Sequence, residues 1–295
     1  VSEVTEVPDT ETIFVASSSS DTFVATEHAR GPWDPRALHG GAPAALMTSA
    51  FERFEPGAEL RIAHLSFQFL RPVPLAPLEL ALRIARPGRR VQELAGELIA
   101  QVPADDSPDA APSTGLVVCR ASALRVRAIP AGVPEAPRGV VGEPDGDGSG
   151  MGTPETSAPL RFALDDSDEA SFALSAMEMR SPGEGGRDPR EPGPGRVWMR
   201  LRHPLLAGEE LTPLARLAAT ADFGNGISAA LPFDRYLFIN ADLTIHLHRP
   251  PSGEWIGLDA RTLLHAGGTG LAESVLYDVD GPVGRAFQTL VVEPR

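Results

Sequence analysis

A strand that the chain writes twice constrains its fold more than any other feature. Leu65-Ser66-Phe67-Gln68-Phe69-Leu70-Arg71-Pro72 returns in the second half as Leu243-Thr244-Ile245-His246-Leu247-His248-Arg249-Pro250. In each copy apolar residues alternate with polar ones, which makes one buried face with a period of two. The proline after each arginine has no N–H to give a ladder, so it ends the strand. A second pair flanks the first: Ala121-Ser122-Ala123-Leu124-Arg125-Val126 lies over Phe287-Gln288-Thr289-Leu290-Val291-Val292. A weaker third pair sets His39-Gly40-Gly41-Ala42-Pro43-Ala44-Ala45 over Asp222-Phe223-Gly224-Asn225-Gly226-Ile227-Ser228. Repeats on this scale indicate one unit present twice.

The chain has 295 residues, 42% of them hydrophobic, enough for two ordinary cores. Residues 129–159 are dense in Pro, Gly, Asp and Glu and suit a linker. They separate a first unit over 1–128 from a second over 160–295, with residues 1–20 as a loosely held lead-in. Pro103–Pro108 and Ser181–Gly186 are expected to be long loops. Each unit reads as a strand (21–28 in the first, 171–180 in the second), a glycine-started helix and a run of long strands. That order predicts an α+β arrangement in which an antiparallel sheet wraps around the helix.

Cys119 is the lone cysteine, so neither an intramolecular disulfide nor a thiolate zinc cage can form. The formal net charge of -14 disfavours nucleic acid as a partner. No apolar run is long enough for a membrane span, and no basic-then-apolar leader opens the sequence, so a cytoplasmic location is expected.

His39-Gly40-Gly41, Phe67-Gln68-Phe69-Leu70-Arg71-Pro72, Glu178-Met179-Arg180, Arg196-Val197-Trp198-Met199-Arg200, Ala221-Asp222-Phe223, Asp242–Pro250 and Phe287-Gln288 occur in an order that resembles the acyl-CoA thioesterase II family. The resemblance covers most of residues 21–128 and 170–295. It implies a double hot-dog fold and hydrolysis of an acyl-CoA substrate to free acid and CoA, with no cofactor beyond the CoA the substrate carries. It also implies a catalytic Asp on the second helix, a Ser or Thr at the start of the second long strand and a Gln near the C-terminus. These positions fall on Asp222, Asn240 and Gln288. Asn240 departs from the family pattern because it has no hydroxyl; Thr244, four residues on, is a substitute donor. Paired hot-dog sheets often associate, so a homodimer or larger homo-oligomer is expected.

Thioester hydrolysis needs an activated water and a donor for the developing oxyanion. Asp222 can serve as the base or attack directly. Asn240 and Gln288 are neutral and two-sided, able to hold a water and fix the Asp. Backbone N–H groups at the two glycine-rich helix starts are oxyanion candidates, at Gly40 and Gly41 in the first unit and Gly224 and Gly226 in the second. A glutamine on a strand face otherwise formed by Ala286, Leu290 and Val292 is expected to be buried and partnered. The repeat sets His39, Ile62 and Ser122 opposite Asp222, Asn240 and Gln288, so the polar set is expected once, in the second unit. His246 and His248 share a strand face but lack an evident third metal ligand, so no metal site is expected.

Two other functions fit parts of the sequence. Asp34-Pro35-Arg36-Ala37-Leu38-His39 has the Asp/His spacing of the R-specific enoyl-CoA hydratases, though Arg36 and Ala37 stand where that motif carries Asn and Pro. The missing hydroxyl at Asn240 also keeps open a non-catalytic acyl-CoA-binding protein.

Overall fold

The computed structural model describes residues 11–17, 21–54, 59–101, 115–129, 150–162, 169–183 and 191–295. Most of the expected linker, the Pro103–Pro108 loop and much of the lead-in lie outside these residues. The first unit contains β1 (Phe14–Ala16), β2 (Thr22–Ala25), α1 (Gly41–Arg53), β3 (Leu60–Phe69), β4 (Pro77–Arg86), β5 (Val91–Ala100) and β6 (Leu116–Arg127). The second contains β7 (Ala158–Leu160), β8 (Met177–Ser181), β9 (Gly195–Leu201), α2 (Pro213–Ala221), α3 (Gly224–Ile227), β10 (Tyr236–Asn240), β11 (Asp242–Leu247), β12 (Ile256–Leu264), β13 (Thr269–Asp278) and β14 (Gly281–Pro294).

The described strands form one sheet in the order β1-β2-β4-β5-β6-β3-β11-β14-β13-β12-β9-β8-β7, with β10 also on β14. Its centre is the repeated strand paired with its own copy. β3 and β11 run antiparallel, with Ser66 opposite Thr244. Those two residues hold the same position in the repeat, so a pseudo-twofold axis passes between them. Leu65, Phe67, Leu243 and Ile245 are fully buried on the inner face. Each such side chain contributes roughly 1.5–3 kcal/mol on burial.

The inner face wraps α1 and α2, which pack on each other in opposite directions. In α1, Ala42, Ala44, Ala45, Leu46 and Met47 are fully buried. Small residues let the helices approach closely: a Cβ on Gly41 would lie 2.5 Å from the Ala219 carbonyl oxygen. Arg125 closes the far end of α1, donating to the carbonyl oxygens of Phe51 and, at 2.8 Å, of Phe54.

Four sequence expectations are corrected here. The second unit's main helix precedes Asp222 instead of starting there. Thr212 caps it, accepting from the Ala215 N–H at 3.1 Å, and Pro213 opens it. Asp222 is therefore the C-cap residue of α2, and Gly224–Ile227 is a single turn. Second, Phe172–Ala176, expected as strand, is a π-helical turn ahead of β8. Third, the lead-in carries β1, where the Ile13 and Phe14 N–H groups donate to the carbonyls of Pro204 and Leu205 and tie it to the second unit. Fourth, strand β7 begins at Ala158, inside the stretch expected as linker.

Candidate active site

Asp222 ends α2 where the antiparallel α1 begins, so its carboxylate lies beside the residues that open α1. It is 4% exposed. Asn240 Nδ2 donates to its Oδ1 at 2.8 Å, and Gln288 Nε2 donates to its backbone oxygen at 3.0 Å and to Oδ1 at 3.4 Å. His39 Nδ1 lies 3.1 Å from Oδ2. The three residues expected from the sequence thus meet at one carboxylate, with His39 of the first unit as a fourth member.

Each partner is held by its own local structure. Asn240 is the last residue of β10, where the chain breaks step before β11. The Ala241 N–H donates to the Thr289 carbonyl, and Asp242 Oδ1 accepts from the Thr289 N–H at 2.6 Å. This offset turns the Asn240 side chain inward. Gln288 is 1% exposed on β14, and its Oε1 accepts from the Asn225 N–H at 2.9 Å. That bond fixes the amide orientation, so Nε2 faces Asp222. His39 stacks on Phe223 and Phe172, with ring centroids 4.2 and 5.1 Å away, and those two rings stack on each other at 5.9 Å.

The glycines act through space. A Cβ on Gly40 would lie 2.8 Å from Asp222 Oδ2, and one on Gly224 would lie 2.8 Å from Gln288 Oε1 and 2.7 Å from Ser274 Oγ. Gly40 therefore leaves Oδ2 open, and Gly224 leaves room for the glutamine. The Gly41 N–H lies 3.1 Å from His39 Nδ1. Gly226 abuts the Phe162 ring, away from the carboxylate.

Several expectations do not meet at the site. Thr244 lies between the buried Leu243 and Ile245 and therefore points to the outer face, so it is not the substitute hydroxyl. Asp34 is turned to Arg36, whose side chain reaches it at 3.0 and 3.1 Å and holds its carboxyl below the usual range. The Asp34/His39 dyad of a hydratase is not assembled; His39 faces Asp222 instead. Gln288 does not correspond to Ser122. Ser66 faces Ser122 across β3–β6, whereas Thr244 faces Phe287 across β11–β14. Gln288 thus matches Ala123, because a one-residue slip exchanges the faces of a strand. Arg249 is committed to Asp278 through two 2.6 Å bonds, which leaves it tied to the β13–β14 turn.

Cys119 lies close enough for Asp222 to act on it. Burial first, and the Asp222 charge second, push its thiol up to about 12. It stays protonated and is no nucleophile.

The model of the acyl-CoA thioesterase C-terminal domain matches residues 154–292, and that of the N-terminal domain matches residues 29–126. No curated protein matches the chain. Among solved structures, a candidate thioesterase II of Thermobifida fusca YX superposes with a TM-score of 0.65 at 16% identity, covering 96% of either chain. A protein of unknown function with a hot-dog fold from Alicyclobacillus acidocaldarius gives 0.62 at 16% identity, covering 95% of either chain. The acyl-CoA thioesterase II TesB2 of Mycobacterium marinum gives 0.59 at 15% identity, covering 95% of this chain and 96% of that one. At these identities the likeness is one of fold, and the fold is the double hot-dog.

Proposed function

Because the chain belongs to the acyl-CoA thioesterase family, whose members are thioester hydrolases, we propose that it hydrolyses an acyl-CoA to free acid and CoA, with Asp222 as the general base. The observation that carries this assignment is the convergence of two amides and an imidazole on one buried carboxylate. Oδ1 takes the amide donors, which leaves Oδ2 as the oxygen that accepts a proton.

Asn240 has a carbonyl oxygen as well as the N–H group spent on Asp222, so it can accept from a water that Asp222 deprotonates. The water oxygen bonds to the thioester carbonyl carbon while its proton passes to Asp222. The tetrahedral oxyanion then collapses, the C–S bond breaks with its electron pair on sulfur, and the thiolate takes the proton back from Asp222. The amide oxygen does here what a hydroxyl does in the family pattern.

His39 Nδ1 has a single in-plane position to offer, either a hydrogen or a lone pair. With Asp222 ionised, the hydrogen is on Nδ1 and points to Oδ2, so the Gly41 N–H is available to the substrate oxygen. Because the hydrogen stays on Nδ1, the Gly41 N–H remains available when the proton is on Asp222 and the oxyanion has formed. This arrangement assigns Gly41 the oxyanion contact and Gly40 the space beside it. Asp222 is almost fully covered, so a packed side chain must shift to admit the carbonyl.

Free-thiol release from acyl-CoAs of increasing chain length tests the proposal. Steady release of CoA is expected. Hydration of crotonyl-CoA without CoA release, or tight binding without any release, would replace hydrolysis with one of the other two functions.

A further inference from the structure

The pseudo-twofold axis that relates the two units must carry the Asp222 site onto a second place in the molecule. That place is where α1 ends and α2 begins. Asp222 follows α2 and lies beside Gly40, the N-cap of α1; Glu52 is near the end of α1 and lies beside Thr212, the N-cap of α2. Thr212 Oγ1 donates to Glu52 Oε2 at 2.5 Å, much as His39 meets Asp222. Burial pushes the Glu52 carboxyl up, although the Thr212 bond opposes this. Ile62 occupies the position of Asn240, and Ala123 that of Gln288.

A groove of about 500 Å³ opens there, lined by Glu52 and Arg61 together with Ile62, Leu214, Leu247 and Pro251. Its size is that of a small-molecule site. With Ile62 and Ala123 in place of the two amides, the groove lacks the pair that holds a water at Asp222 and is unfit for hydrolysis. Leu60, Ile62, Leu214 and Leu247 give it an apolar side that suits a hydrocarbon chain. Arg61 at its edge has no ion pair among the described residues, so it supplies a cation for an anionic head.

We propose that this groove is a second, non-hydrolytic site for an acyl chain with an anionic head group, either the free acid or the intact CoA thioester. The ligand class rests on the hydrolase assignment above, since the groove is the symmetry mate of the site that takes the acyl thioester. Occupancy would bear on catalysis through α2 and β11, because Leu214 and Leu247 belong to the elements that carry Asp222 and follow Asn240.

Equilibrium dialysis with dodecanoate and with the non-hydrolysable S-dodecyl-CoA thioether tests the proposal on the full chain. The wild type is expected to hold two dodecanoates, and Arg61→Glu and Pro251→Trp one each, with thermal melting confirming that both variants fold. If the thioether also fills two positions, the groove takes the intact thioester; if it fills one while dodecanoate fills two, the groove takes the free acid. One bound ligand in the wild type for both probes, or two in both folded variants, would overturn the site. Two-site binding without CoA release would sink the hydrolase proposal and leave the groove standing, so the two failures are distinct.

Discussion

At Asp222 the chemistry depends on atoms that are missing as much as on those present. Gly40 has helical backbone angles, φ -59° and ψ -23°, that alanine adopts easily. A Cβ there meets the carboxylate at 2.8 Å. Gly40→Ala should therefore fold with a melting temperature close to wild type while kcat falls about 100-fold, the effect of displacing a reacting group by about an ångström. Wild-type kcat in that variant would show that Oδ2 is not the working oxygen. Asp222, Asn240 and Gln288 could be named from the sequence because the family resemblance puts its Asp, Ser/Thr and Gln positions there, and they meet in the fold. His39 was read as the repeat partner of Asp222 and as a candidate partner of Asp34, and not as a partner of the Asp222 carboxylate, since that contact is made across the fold. Phe172 and Phe223, which hold its ring, gave no periodic signal. Thr244 could not replace the missing hydroxyl because the chain breaks step at Ala241, which turns Asn240 inward and leaves Thr244 on the outer face.

At the level of elements, the β3–β11 seam carries both units, and its outer face brings His64 opposite His246 with ring centroids 4.4 Å apart. Burial first, then the neighbouring His246, pull the His64 imidazole below its ordinary value, while Glu93 opposes them. A histidine depressed in the folded state is protonated first in the unfolded chain as pH falls. Its contribution to stability is thus complete above the unfolded value of about 6.5 and is lost as pH falls below it. Stability measured by denaturant between about pH 7.5 and 5 should decline less steeply in His64→Gln than in wild type. Equal slopes would remove His64 from the seam's pH response. His248, lowered by burial and by Arg249, leaves part of the slope in the variant. The long strands were readable from alternation alone. Helix α2 was not read, although Thr212-Pro213 is an N-cap signal and Leu214, Leu217, Ala218 and Ala221 repeat at helical spacing. The glycines after Asp222 drew the helix start to the wrong side of it.

On the scale of the whole molecule, duplication made one sheet around two antiparallel helices, with an end of each helix at either site. The acyl-CoA thioesterase fold was legible because the repeat survives in the strands that the core needs. What the repeat could not show is which residues of one unit complete the site of the other. His39, Gly40 and Gly41 come from the first unit and Asp222, Asn240 and Gln288 from the second, so neither unit holds the full set. Because α1 and α2 pack on each other and β3 pairs with β11 across the unit boundary, the two units should unfold together. Calorimetry is expected to show one transition; two resolved transitions would mean that each core stands alone. None of the described helices is long and apolar enough to cross a membrane.

The central claim is that Asp222 takes the proton from the water that cleaves an acyl-CoA. Free-thiol kinetics of Asp222→Asn beside wild type, with folding checked by melting temperature, test it most directly. Asparagine keeps the shape and cannot take the proton, so kcat should fall roughly 10²–10⁴-fold while the variant still binds the thioether analogue. A folded Asp222→Asn variant that releases CoA at the wild-type rate would contradict the account.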